Sequence, residues 1–74
     1  MDSPQTQVRL SKREKQAGDL LLQGCDNKTI GQEMGVAHRT VKAFMKRMFD
    51  KFGIDNNEKI KRVELALILY RRSA

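Results

Sequence analysis

The sequence predicts an all-α domain of four short helices, and three observations carry that prediction. Val41, Phe44, Met45, Met48 and Phe52 recur at i, i+3, i+4, i+7 and i+11, one apolar stripe of a helix. Gly24, Gly35 and Gly53 each stand where a periodic segment runs out, the usual place for a helix to stop. Ser11 and Asp26 stand just ahead of such segments, where a side-chain oxygen can cap free backbone amides.

Helix one is expected from about Lys12 to Gln23. Ser11 and Glu14 form a Ser-x-x-Glu capping box, in which each side chain satisfies an amide of the first turn. Leu10 precedes the cap as a hydrophobic staple, and Ala17, Leu20 and Leu21 make the buried face. Gly18 costs the helix roughly 1 kcal/mol against alanine and suits a close approach by a neighbour.

Helix two is short, about Asn27 to Met34, capped by Asp26 and stopped by Gly35. Ile30 and Met34 face inward, and Gly31 leaves room for tight contact with the next helix. Gly35-Val36-Ala37 is long enough only for a sharp corner before helix three, about His38 to Phe52. Two helices joined by a short glycine-containing turn make a helix-turn-helix. Five positive residues lie between Arg39 and Lys51, and Arg39, Lys42 and Lys46 fall together off the apolar stripe. One face of helix three thus suits a core and another suits an anion, the shape of a DNA-reading element.

Helix four carries Val63, Leu65, Ala66, Leu67, Ile68, Leu69 and Tyr70, more apolar surface than one contact needs. Leu65, Ala66 and Leu69 fit an inward stripe, which leaves Ile68 and Tyr70 as candidates for a dimer interface. Arg71 and Arg72 suit the negative end of the helix dipole.

At 74 residues there is room for one small domain, whose core alone gives marginal stability. Residues 1–7 are polar, hold the single proline and are expected to form a mobile leader, with the folded domain over 8–74. Fifteen Lys and Arg against nine Asp and Glu give a net charge of +6 and a pI near 9.9. Such a balance favours a polyanionic partner: DNA, RNA or an anionic membrane surface. No apolar stretch is long enough to span a bilayer, and the first residues lack the apolar core of a signal peptide. One cysteine cannot form an internal disulfide, so the cytoplasm is the expected compartment.

Leu10-Ser-Lys-Arg-Glu14, Leu20-Leu21, Gly24, Asn27-Lys28, Ile30, Thr40-Val41-Lys42 and Lys51-Phe52-Gly53-Ile54 resemble, in order and spacing, the LuxR/GerE-type helix-turn-helix. The family pattern runs L-T-x-R-E, L-L, G, N-K-x-I-A, T-V-K-x-H and K-L-G-V, and the match covers nearly all of the chain after residue 7. The resemblance implies a bacterial transcription regulator. Its third helix would enter the major groove and its fourth would support a homodimer on double-stranded DNA, with RNA polymerase a further partner. Carried over position by position, Lys42, Ala43 and Lys46 match base-facing residues. Arg39, Thr40, Lys28 and Arg47 match or flank phosphate-facing ones, and Asn27 matches the start of helix two, whose free amides can hold a phosphate. Lys42 and Lys46 are one turn apart, so both can reach the same groove, where lysine can donate to guanine O6 and N7.

The chain departs from the family pattern in three respects. Phe44 stands where His is frequent, replacing a polar contact by core packing. Ala37 replaces a Ser or Thr cap, at a cost of around 1 kcal/mol. Asp55-Asn56-Asn57-Glu58-Lys59 inserts residues before Arg62-Val63-Glu64-Leu65-Ala66, as a longer loop or an added first turn that bears on the tilt of helix four.

Catalytic and cofactor chemistry finds no support in the residues. No nucleophile–base pair or phosphate-cradling glycine loop is present, Glu14 belongs to its capping box, and the methionines fill the core. Cys25 has no second cysteine and His38 no ligand set, so no metal or other cofactor is expected. His38, at the start of helix three, suits either a phosphate contact or plain exposure. The reading is therefore a sequence-specific DNA-binding regulator, free-standing or the effector domain of a longer response regulator or ligand sensor. Two alternatives stand beside it: a protein-interaction module working through the apolar surface of helix four, and a promoter-reading domain like that of a sigma factor. The Lys-Phe-Gly-Ile ending and the fourth helix speak against the latter.

Overall fold

A computed structural model describes residues 8–54 and 60–73. Four α-helices account for most of them: α1 Lys12–Leu22, α2 Asn27–Met34, α3 His38–Lys51 and α4 Lys61–Ser73. The expected leader over residues 1–7 and the insertion over residues 55–59 lie outside the described residues.

Helices α1 and α2 begin on side-chain caps. Ser11 and Glu14 form the full capping box: the Ser11 hydroxyl accepts from the Glu14 amide at 3.1 Å, and Glu14 Oε1 accepts from the Ser11 amide at 2.8 Å. Asp26 Oδ1 accepts from the Thr29 amide at 2.8 Å and caps α2. Gly35 then turns left-handed at φ +70°, a conformation open to glycine, and starts the corner into α3. Ala37 gives α3 no side-chain cap. The hydrophobic staple is incomplete: Leu10 packs against the core, but the helix position that should meet it holds Lys15, which carries no apolar head.

The core draws on every helix. Ala17 and Leu21 of α1, Ile30 and Met34 of α2, Leu65 and Leu69 of α4, and the full stripe of α3 are buried, with Phe52 just beyond α3's end. α1 packs against the other three helices, and α2 packs on α3 as the helix-turn-helix pair. Two glycines set the spacing. A Cβ at Gly31 would come within 2.9 Å of the Val36 carbonyl oxygen, so the corner can fold directly over α2. A Cβ at Gly18 would meet Leu69 Cδ1 at 2.9 Å, so α1 and α4 approach through that point.

Polar contacts close the periphery. Glu14 is almost sealed from solvent, at 2% exposure. Its carboxylate pairs with Lys51 Nζ at 2.5 Å, and the same ammonium donates to the Arg9 carbonyl at 3.1 Å. Burial pushes the Glu14 pKa up, but the bonds from Lys51 and Ser11 outweigh it and hold the group below the ordinary glutamate range. Arg72 donates to the Val8 carbonyl at 2.9 Å and lies over the Phe52 ring, tying the segment before α1 to α4. Among the described residues no buried side-chain polar atom lacks a partner.

Candidate nucleic-acid interface

Burying Val41, Phe44, Met45 and Met48 decides what α3 offers to solvent. Arg39, Lys42, Ala43, Lys46 and Arg47 are all exposed, on the side turned away from the core. Ala43 sits between the longer cationic side chains and keeps the middle of that face low. A helix with four cations around a small residue can approach a polyanionic groove closely. Phe44 is buried, so its side chain packs where a polar contact was in question.

The flanking positions sit at the ends of the two helices. Lys28 is exposed in the first turn of α2, and Thr40 is half-buried in the first turn of α3. His38 is exposed at the start of α3. Asn27 is half-buried as the first residue of α2, and its Oδ1 accepts from Arg62 Nη1 at 2.6 Å. Lys51, by contrast, leaves the cationic face: it turns to Glu14 and the Arg9 carbonyl, which joins the end of α3 to the start of α1. Asp50 is exposed near the end of α3 and brings a negative charge to the edge of this surface.

A groove of about 490 Å³ opens beside α3, lined by Lys42 and Lys46 on one side and by Lys61 and Arg62 of α4 on the other, with Asn27 at its end. A larger groove, about 780 Å³, lies between Val8, Leu10, α1 and the end of α4 and holds none of the α3 cations. The smaller one matters for an anionic partner, because among the described residues Lys42, Lys46, Lys61 and Arg62 outnumber the Asp50 carboxylate in its wall, and a concave wall of mainly one sign focuses the field.

Helix α4 divides into two apolar stripes. Leu65 and Leu69 are buried and Ala66 half-buried on the inner one. Val63, Leu67 and Tyr70, at i, i+4 and i+7, are 59%, 49% and 66% exposed, and Ile60 precedes them at 44%. Tyr70 thus lies on the outer stripe, whereas Ile68 is half-buried and packs against the core. The inward stripe of Leu65, Ala66 and Leu69 is the one the sequence indicates, but Val63 and Leu67 were not singled out for the outer face, although their spacing to Tyr70 was available. Lys61 and Arg62 were missed for another reason, since their partners at Phe49, Asn27 and Cys25 are distant in the chain.

Among the described residues no group of three His, Cys, Asp or Glu side chains could hold a metal ion, and no helix is long and apolar enough to cross a membrane. The Cys25 thiol is half-buried and unpaired with another sulfur.

The family model for bacterial regulatory proteins of the luxR family matches residues 8–65. An Aeromonas salmonicida protein named as an HTH-type transcriptional regulator in the exeN 3′ region is 35% identical over 52 residues, which cover 70% of this chain. The aligned part spans 26% of that relative's length. No solved structure matches the chain. The helix-turn-helix of α2 and α3, the cationic outer face of α3 and the family match over residues 8–65 agree: the chain belongs to the LuxR family of bacterial regulatory proteins, as a DNA-binding helix-turn-helix domain.

Proposed function

We propose that the protein is a sequence-specific regulator that inserts α3 into the major groove and binds as a homodimer. The observation that carries this reading is the exposed face of α3, where Lys42, Ala43 and Lys46 form a centre flanked by Arg39 and Arg47. In this reading Lys42, Ala43 and Lys46 meet base edges, while Arg39, Thr40, Arg47, Asn27 and Lys28 meet phosphate. Tyr70, with Val63 and Leu67 beside it, forms the two-fold contact. Two copies would then read a pseudo-palindrome with half-sites about ten base pairs apart. Such a protein works in the cytoplasm, and RNA polymerase enters as the machinery that a promoter-bound regulator acts on.

The test begins with a duplex selected from random sequence by the wild-type protein. Lys42→Ala and Lys46→Ala are each expected to cost about 1–3 kcal/mol on that duplex and to relax preference at one or two positions. Equal losses on selected and random duplexes would instead make them phosphate contacts. The exposed stripe of α4 also favours a second reading, a protein-interaction module in which the charge is incidental. Salt separates the two: DNA binding weakens steeply as salt rises, and an apolar interface does not.

A further inference from the structure

The first turn of α4 faces the same groove as the centre of α3. Two side chains hold it there. Arg62 donates from Nη1 to Asn27 Oδ1 at 2.6 Å and from Nη2 to the Cys25 carbonyl at 2.9 Å. The backbone of α4 packs on α1 and α3 but not on α2, so this guanidinium reaches across to the start of α2. Lys61 Nζ lies 5.1 Å from the centroid of the Phe49 ring, on the flank of α3 that also carries Lys42 and Lys46. A cation over an aromatic face is attracted to it while its ammonium protons stay available to an anion.

The chemistry sorts the two cations. Arg62 spends donors from both terminal nitrogens on neutral acceptors inside the protein, so it works as a brace. Lys61 rests on a ring, which offers no formal negative charge to neutralise it. With Lys42 and Lys46 opposite, the groove gathers, among the described residues, four cations against the carboxylate of Asp50. An open concave surface of that charge, running along one flank of a groove-reading helix, fits the phosphates of one strand of a duplex. Arg39 and Arg47 belong to the rest of α3's outer face and do not line this groove.

We propose that Lys61 is a DNA phosphate contact on the α4 side of α3, with Arg62 a positioning residue that holds the first turn of α4 against the start of α2. The helix read in the sequence as a dimer element thereby also belongs to the DNA-binding surface. This rests on α3 lying in the major groove.

The experiment is a salt titration of binding to the selected duplex and to random duplex, for wild type, Lys61→Gln and Lys15→Gln. Lys15 is an exposed lysine of α1 that lines the other groove, so it controls for the loss of one charge anywhere on the molecule. Lys61→Gln is expected to lower the slope of log affinity against log salt by about 0.9 on both duplexes, the contribution of one phosphate. Lys15→Gln is expected to leave the slope at its wild-type value. In an Arg62→Met background, Lys61→Gln should no longer change the slope, because the ammonium is no longer held beside α3. A wild-type slope in Lys61→Gln, or an equal fall in Lys15→Gln, overturns the contact. An undiminished Lys61 effect in the Arg62→Met background overturns the brace. Wild-type protein without salt-dependent, selective binding would remove the groove-reading proposal itself, a result separate from either of these.

Discussion

Glu14 shows how far a residue's role can extend beyond its local motif. Its spacing to Ser11 is a local signal, and the capping box forms. The partner that holds the carboxylate charged is Lys51, at the far end of α3. Because the folded pKa lies below the ordinary range, Glu14 contributes its full stability above that range and loses it as pH falls through the folded value. Glu14→Gln keeps a side-chain acceptor for the cap but loses the ion pair. It is expected to cost about 1–2 kcal/mol at neutral pH, discounted for the partial exposure of Lys51. The variant should also lose part of the acid-side fall in stability. Urea midpoints of wild type and Glu14→Gln, measured at neutral and acid pH, check this; parallel declines in the two proteins would contradict it.

Helices α2 and α3 meet through Gly31, and α1 and α4 through Gly18, but the two glycines differ in what stands opposite. At Gly31 the obstacle is backbone, the Val36 carbonyl oxygen, which cannot move without opening the corner. At Gly18 it is a methyl group at the end of the Leu69 side chain, which can rotate. Alanine gains roughly 1 kcal/mol of helix propensity at either site. Gly31→Ala is therefore expected to lose about 1–2 kcal/mol overall, the overpacking exceeding the propensity gain. Gly18→Ala is expected to fall within about 1 kcal/mol of wild type. Thermal melts distinguish the two, since a 1 kcal/mol change moves the midpoint of a domain this size by roughly 4–8 °C. Equal midpoints for both variants would mean that the corner relaxes as easily as a leucine methyl.

At the scale of the whole molecule, the outer stripe of α4 bears on assembly. Leu67 is 49% exposed and takes no part in the buried core, whereas Ile68 packs against it. Leu67→Glu is thus the clean variant for the dimer, and Ile68→Glu would also injure the fold. Leu67→Glu is expected to bind a single half-site as wild type does, and to weaken the second copy on a full palindrome by roughly tenfold or more, as effective concentration is lost. Sedimentation on half-site and full-site duplexes reads this directly. Undiminished two-copy binding would place the dimer contact elsewhere. The helices, caps and corner are legible in the sequence alone because each depends on residues within a turn or two of one another: the Ser11 and Asp26 caps, the glycine stops and the α3 stripe are local physics. The cationic face of α3 was legible for the same reason, as the remainder once its core stripe is set. Lys51's departure to Glu14, the hold of Arg62 on Asn27 and Cys25, and the packing of Ile68 against the core involve partners distant in sequence. Local spacing carries no information about such pairs; they exist only once α1 has packed against the other three helices and brought the end of α3 to the first turn of α1 and the first turn of α4 to that of α2.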